Sequence, residues 1–377
     1  MQLPNSEEVV NSGDELTHEQ LEELKKTLLT YVNAFSLKGE IGMSDITKHK
    51  IELEPGAKPF AEPLKRRASI QVEETRKQVK QLLKDGIIEE SDSPWASAYV
   101  LAKKKNGEMR LCIDFRKLNA MTKKLVYPIP NIEDCLDTLA GKKYFSQIDF
   151  SSGFWQILMD EKSKEYTAFR TGDGLFQFRR MPFGLTNAPA SFQRMINATL
   201  AGLKGLNLQV FIDDVCIATN TWEEHIKMLT KLLETVIKSN IKHKSSKCIF
   251  GATKVIFLGH EISKDGIRQE PNKLKALSSL PKPRDVSEVK RVMGMFSYYR
   301  KFVPNFAMIA EPLVELTRKT KKFIWDNEQR SAFKEILQSL AKNATLAHFN
   351  HKDPTMIKTD ASHKGVAGML LQKQNDE

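Results

Sequence analysis

Cysteine is scarce and scattered in this chain. The four cysteines, Cys112, Cys135, Cys216 and Cys248, form no CxxC pair, and the eight histidines do not cluster beside them. That argues against a zinc site or a disulfide framework and fits a reducing compartment. Long apolar runs are missing too. No stretch approaches the roughly 18 residues of a membrane span. The opening Met1 to Glu8 has no signal-peptide character, so no membrane partner is expected. Acidic residues are outnumbered, 47 Asp and Glu against 58 Lys and Arg, for a net charge of +11. Residues 1–60 hold 11 acidic and 6 basic residues, net −5, so the remaining 317 carry +16. Such an excess points to a polyanion partner, nucleic acid before membrane.

What is present is ordinary globular material, 41% hydrophobic and 28% charged in 377 residues, enough for about two or three domains. Leu16, Leu21, Leu24 and Leu28 predict an amphipathic helix over 14–35, with Thr17 and Gln20 as a capping box. Residues 36–63, with little periodicity, read as a linker or an extended strap. A second helix is expected over about 70–85, stopped at Asp85-Gly86. The period then changes to strand. Runs 98–102 and 109–115 flank a turn ending in Asn106-Gly107, a strong hairpin cue. Residues 100–124 carry 8 basic and 2 acidic residues. Such a hairpin is either a solvated tip or a grip for phosphates.

From 143 the expected elements run strand (Lys143–Phe150), an insertion over 151–186 with its own hairpin, helix (188–200), strands 208–212 and 215–219, helix (221–239) and a closing strand over 255–262. This is β-α-β-β-α-β, the split pattern of ferredoxin-like domains. Asp213-Asp214 sits between the two central strands. Alone, such a pair is most often just a tight turn. The topology brings Asp149 beside it, however, and three carboxylates in a basic protein suit a two-metal phosphoryl-transfer site. Residues 268–322 are basic and largely helical, with Gly294 inside a helix where Gly costs about 1 kcal/mol against Ala. It therefore needs a reason, either tight protein packing or close approach of a nucleic-acid backbone. Residues 355–372 alternate as strand, turn, strand, and the fold begun there is expected to be incomplete.

Ser93-Pro94-Trp95, Arg110 to Asn119, Tyr127-Pro-Ile-Pro130, Phe145 to Asp149, Met181 to Gln193, Phe211-Ile-Asp-Asp214 and Phe257 to Glu261 follow one another in order. Over about 50–377 this set resembles the reverse transcriptases of gypsy-type long-terminal-repeat retrotransposons, relatives of the retroviral enzymes. The resemblance implies an α+β right-hand polymerase with fingers, a ferredoxin-like palm and a helical thumb, followed by a truncated ribonuclease H-like domain. It divides the chain into an N-terminal helix and linker (1–55), fingers (56–125 and 157–187), palm (126–156 and 188–265), thumb (266–345) and an incomplete ribonuclease H-like segment (346–377).

On that resemblance Asp149, Asp213 and Asp214 are catalytic and hold two Mg²⁺ or Mn²⁺ ions. Lys103, Arg110, Phe154, Phe183, Gly184 and Lys247 bind the nucleotide. Phe154 is the steric gate against a 2′-hydroxyl, and Lys247 stands where some members keep a general acid for pyrophosphate. Phe257, Leu258, Gly259 and His260 resemble the primer grip, and Lys290, Gly294 and Tyr298 a helix tracking the duplex minor groove. Asp360 resembles the first ribonuclease H acid; its later acids are absent, so that activity is expected to be lacking. Phe211 departs from the Tyr common before the aspartates. The implied partners are RNA template, DNA template, RNA/DNA hybrid, primer and deoxynucleoside triphosphates, with a homodimer as an option. The implied location is a cytoplasmic virus-like particle, with nuclear entry beside the integration complex as an option. The competing reading is a catalytically silent nucleic-acid-binding or supporting subunit of a dimer.

Overall fold

A computed structural model describes residues 11–373, except 14, 38, 104–106, 151, 204, 206, 279, 320, 343–344, 349–352 and 363–364. The chain divides into two compact units, residues 1–135 with 144–253 and residues 136–143 with 254–377. In chain order the first unit holds β1 (Asn11–Ser12), α1 (His18–Thr30), β2 (Ser44–His49), α2 (Ser69–Lys84), β3 (Ile88–Glu90), β4 (Ala98–Lys103) and β5 (Met109–Asp114). Short helices α3 (Arg116–Ala120) and α4 (Ile132–Thr138) follow, the second ending in residues of the other unit. Then come β6 (Tyr144–Asp149), β7 (Ile157–Met159), α5 (Glu161–Lys164), β8 (Phe169–Thr171), β9 (Gly174–Phe178), α6 (Ala188–Thr199), β10 (Leu208–Phe211), β11 (Asp214–Thr219), α7 (Trp222–Lys238) and β12 (Ile249–Ala252).

The central sheet has the order β1-β12-β6-β11-β10. Without β1 this is the 4-1-3-2 arrangement of a split β-α-β-β-α-β unit, and it puts β6 and β11 at the centre. Helices α6 and α7 form where the sequence signals them. Pro189 occupies the first turn of α6, and the Thr221 side chain accepts from Glu224 N at 3.3 Å to cap α7. Their apolar faces fill the core with Phe192, Met195, Ile196, Leu229, Leu232, Leu233 and Val236, all buried.

One expectation is corrected here: the closing strand of this sheet is β12, not residues 255–262, which form a separate hairpin. The expected N-terminal helix is α1, and the residues around it join the first unit. Strand β1 pairs in parallel with β12, and β2 pairs in parallel with β7. Leu24 and Leu28 of α1 are buried in the same core, and the capping box at Thr17 and Gln20 is complete. Trp222 Nε1 donates to Glu23 (2.7 Å) and Tyr31 Oη to Glu234 (2.8 Å), tying α1 to α7.

The second unit holds β13 (Lys254–Phe257), β14 (His260–Ser263), β15 (Gly266–Gln269), α8 (Pro271–Ser278), α9 (Val286–Tyr298), α10 (Phe306–Glu315), α11 (Asn327–Ala341), β16 (Thr355–Ser362) and β17 (Gly365–Gln372). Strands β13, β14 and β15 form an antiparallel meander. The helices bury Val289, Val292, Phe296, Leu313, Phe333 and Ile336, with the Phe296 and Phe333 rings 5.8 Å apart. Strands β16 and β17 pair as a hairpin in which Asp360 lies opposite Ala367; its side chain lies outside the described residues. Among the described residues no helix is long and apolar enough to cross a membrane.

Candidate active site

The three aspartates come together as the strand order requires. Asp214 and Asp149 are direct cross-strand partners at the ends of β11 and β6. Cross-strand partners share a face, with Cβ atoms about 5 Å apart. Asp213 is the second residue of the two-residue turn Ile212-Asp213 that joins β10 to β11. Ile212 sits at φ 52°, the left-handed region, where a β-branched residue costs roughly 1–3 kcal/mol. That cost persists only because the turn is held from outside.

The holding group is Gln193, fully buried in α6, whose Oε1 accepts from Ile212 N at 2.5 Å. Gln193 Nε2 donates to Asn197 Oδ1 (3.0 Å), and Asn197 Nδ2 donates to Tyr127 Oη (2.9 Å). The amide of Gln193 therefore has a fixed sense: nitrogen toward Asn197, oxygen toward the turn. Sequence reasoning quoted Gln193 only as the end of a motif. A glutamine among the apolar positions of an amphipathic helix was the available signal.

Electrostatics follow from the crowding. Burial first, and then the neighbouring Asp214 and Asp149 charges, push the Asp213 carboxyl up to about 6, partly opposed by Lys247. Burial and Asp149 raise Asp214 as well, against a hydrogen bond from Gln147. Lys247 Nζ lies 3.2 and 3.4 Å from the two Asp149 oxygens. One ammonium does not balance three carboxylates. Their hard oxygens suit Mg²⁺ or Mn²⁺, which complete their shells with phosphate and water oxygens. Among the described residues no group of three or more His, Cys, Asp and Glu side chains stands in an arrangement that could hold a metal ion by itself.

A second cluster lies in the same unit. The Arg110 guanidinium carbon sits 4.8 Å over the Phe183 ring. Phe183 meets Phe154 at 5.1 Å, and Phe154 meets Phe192 at 5.6 Å. Arg110, Phe183 and Phe154 thus form one continuous stack. Gly153 is needed beneath it, since an added Cβ would lie 2.9 Å from the Phe192 ring. Gly184 takes φ 95° and is clamped by Asn119, which donates to Gly184 O and accepts from Thr186 N, both at 2.8 Å.

Lys103 does not join this cluster. In the hairpin register Arg110 faces Ala102, whereas Lys103 faces Met109. Side chains alternate along a strand, so Lys103 projects to the opposite face from Arg110. The two cations stand seven positions apart, but that spacing does not show this, because face is set by register. The expected Lys104-Lys105-Asn106 tip lies outside the described residues.

In the second unit Leu258 and Gly259 form the two-residue turn between β13 and β14, at φ 50° and 78°. Phe257 and His260 point inward and are buried, so the turn presents backbone rather than those side chains. Tyr298 Oη donates to Leu258 O at 2.8 Å. On α9, Lys290, Gly294 and Tyr298 are exposed along one line while Val289, Val292 and Phe296 are buried. A Cβ added at Gly294 would meet nothing within 4 Å beyond its own turn of helix, which removes tight packing against another element as its reason.

Known proteins agree with this architecture. Residues 102–262 match the family described as reverse transcriptase (RNA-dependent DNA polymerase), and residues 325–377 match an RNase H-like domain found in reverse transcriptase. The Pol polyprotein of the Drosophila melanogaster transposon opus is 37% identical over 353 residues, 88% of this chain and 35% of that polyprotein. That of the Drosophila transposon gypsy is 36% identical over 314 residues, 78% of this chain and 30% of the relative. The chain spans about a third of the length of these curated relatives. A foamy viral protease-reverse transcriptase solved with double-stranded DNA superposes with a TM-score of 0.85 at 25% identity, covering 95% of this chain and 63% of that one. Another, solved with RNA/DNA hybrid, gives 0.82 at 24% identity, covering 95% and 49%. The ordered motifs, the sheet that carries the aspartates and these similarities agree: the chain carries a reverse transcriptase domain followed by an RNase H-like domain, with gypsy-type retrotransposon polyproteins among its homologues.

Proposed function

We propose that the chain copies RNA and DNA templates into DNA, adding deoxynucleotides to a primer 3′-hydroxyl. The observation that carries this is the cross-strand pairing of Asp149 with Asp214, with Asp213 in the adjoining turn. The family uses divalent metal ions. Asp149, Asp213 and Asp214 would hold two of them, Mg²⁺ or Mn²⁺, which supply Lewis-acid stabilisation of the attacking and leaving oxygens.

In the reaction the primer 3′-hydroxyl gives up its proton to water, its oxygen forms a new bond to the α-phosphorus, the bond from that phosphorus to the bridging oxygen breaks, and pyrophosphate leaves. Arg110 binds the triphosphate and offsets charge developing there. Lys247, held on Asp149, stands as a proton donor for the departing pyrophosphate. Phe154, packed on both Phe183 and Phe192, cannot yield to a 2′-hydroxyl and so selects deoxynucleotides. The Leu258-Gly259 backbone contacts the primer strand, and Lys290, Gly294 and Tyr298 face a duplex minor groove. The relatives solved with double-stranded DNA and with RNA/DNA hybrid support nucleic acid as the partner class.

The test is primer extension on matched RNA and DNA templates with deoxynucleotides and with ribonucleotides. The reading expects extension on both templates, strongly favouring deoxynucleotides, and expects Phe154→Ala to admit ribonucleotides. Tight primer-template binding with no extension would instead favour a supporting subunit.

A further inference from the structure

Strand β5, which carries Arg110, lies in a two-stranded sheet, and one side chain of α2 lies along its free edge. Gln78 Nε2 donates to Met109 O at 2.8 Å, and its Oε1 accepts from Leu111 N at 2.8 Å. These backbone groups flank Arg110. In an antiparallel ladder alternate residues turn their N–H and C=O away from the partner strand, so the edge offers just such a donor and acceptor to a third strand. A carboxamide, with donor and acceptor side by side, can stand in for the peptide group of that missing strand.

The sense of the amide is settled by its partners. Gln78 Nε2 also donates to Glu74 Oε1 at 2.6 Å, so the nitrogen end faces two groups that only accept. The oxygen end faces an N–H that only donates. A flipped amide would lose all three bonds. The backbone on both sides of Arg110 is thereby fixed to α2, while its guanidinium lies on Phe183, which packs on Phe154.

We propose that Gln78 is a positioning residue for nucleotide binding, acting through Arg110 by holding β5 in place. The proposal rests on the reading of Arg110 as a triphosphate ligand. Gln78 itself touches no reacting atom. Its removal frees two backbone groups at the edge and lets the strand carrying Arg110 shift, so the loss falls on nucleotide affinity rather than on the chemical step.

The test is single-nucleotide incorporation with wild type, Gln78→Met, Arg110→Ala and the double variant, with melting temperature and primer-template affinity measured alongside. Methionine keeps the volume and removes the amide. Gln78→Met is expected to raise the nucleotide KM about 5- to 20-fold with kcat nearly unchanged, the scale of one or two lost hydrogen bonds. In the Arg110→Ala background the same change is expected to raise KM by less than about twofold, because the path through Arg110 is already cut. Should methionine prevent folding, Gln78→Glu keeps the acceptor for Leu111 N and removes the donor to Met109 O, and the same KM effect is expected. A full multiplicative effect in the double variant overturns the proposal, as does an unchanged KM in both Gln78 variants. If Arg110→Ala alone leaves KM unchanged, the nucleotide role of Arg110 fails and the proposal falls with it.

Discussion

At the scale of single residues, the catalytic turn depends on groups that carry no charge. Ile212 is held in the left-handed region by an acceptor on Gln193, and Gln193 is oriented by Asn197 and Tyr127. Gln193→Leu leaves the Ile212 N–H without its partner and releases a strained turn. It should cost about 1–3 kcal/mol of stability and lower kcat more than it raises KM; thermal melting and single-turnover incorporation check both. Lys103 and Arg110 give a second contrast. Arg110→Ala should weaken nucleotide binding by about tenfold or more, in line with loss of a charge-assisted contact. Lys103→Ala should change it less than about twofold, since the register turns Lys103 to the other face. Equal losses in the two variants would contradict that register argument.

At the scale of elements, strands and helices were legible wherever the sequence carried a period and a cap. Helix α2 ends where Asp85-Gly86 signals it, with Gly86 at φ 64°, whereas the β10–β11 turn falls at Ile212-Asp213, one residue before the expected Asp213-Asp214. What was not legible is which strand pairs with which. Residues 255–262 read as the closing strand, and only tertiary pairing shows that residues 249–252 close the central sheet instead. Face was equally hidden for Lys103, because one residue of register reverses it. Helix α9 offers the element-scale prediction. With nothing near a Cβ at position 294, Gly294→Ala should leave stability equal or raise it by up to about 1 kcal/mol. The same change should weaken primer-template affinity severalfold. Unchanged affinity together with a raised melting temperature would remove α9 from the duplex interface.

At the scale of the whole molecule, the acidic N-terminal helix and the basic remainder are one design problem. The first unit needs residues 11–49 to cover its core, and Leu28→Ala should cost about 2–5 kcal/mol, as for any fully buried leucine. Acid should act on the same unit. Burial lowers His49 and His225 to about 4 and His243 to about 3, from an ordinary value of 6.5. Their native states are neutral, so the stability they contribute is complete above pH 6.5. It is lost progressively as pH falls toward 3–4. Urea midpoints should therefore fall between pH 7 and pH 4.5, and His243→Phe should flatten that fall. The central claim is that Asp149, Asp213 and Asp214 form a single centre. Single-deoxynucleotide incorporation on saturating primer-template, for wild type and each Asp→Asn variant, tests it most directly. The account predicts rapid incorporation by wild type, and losses of at least about 1,000-fold in every variant with primer-template affinity within about threefold of wild type. Near-wild-type incorporation by any one of the three variants would contradict it.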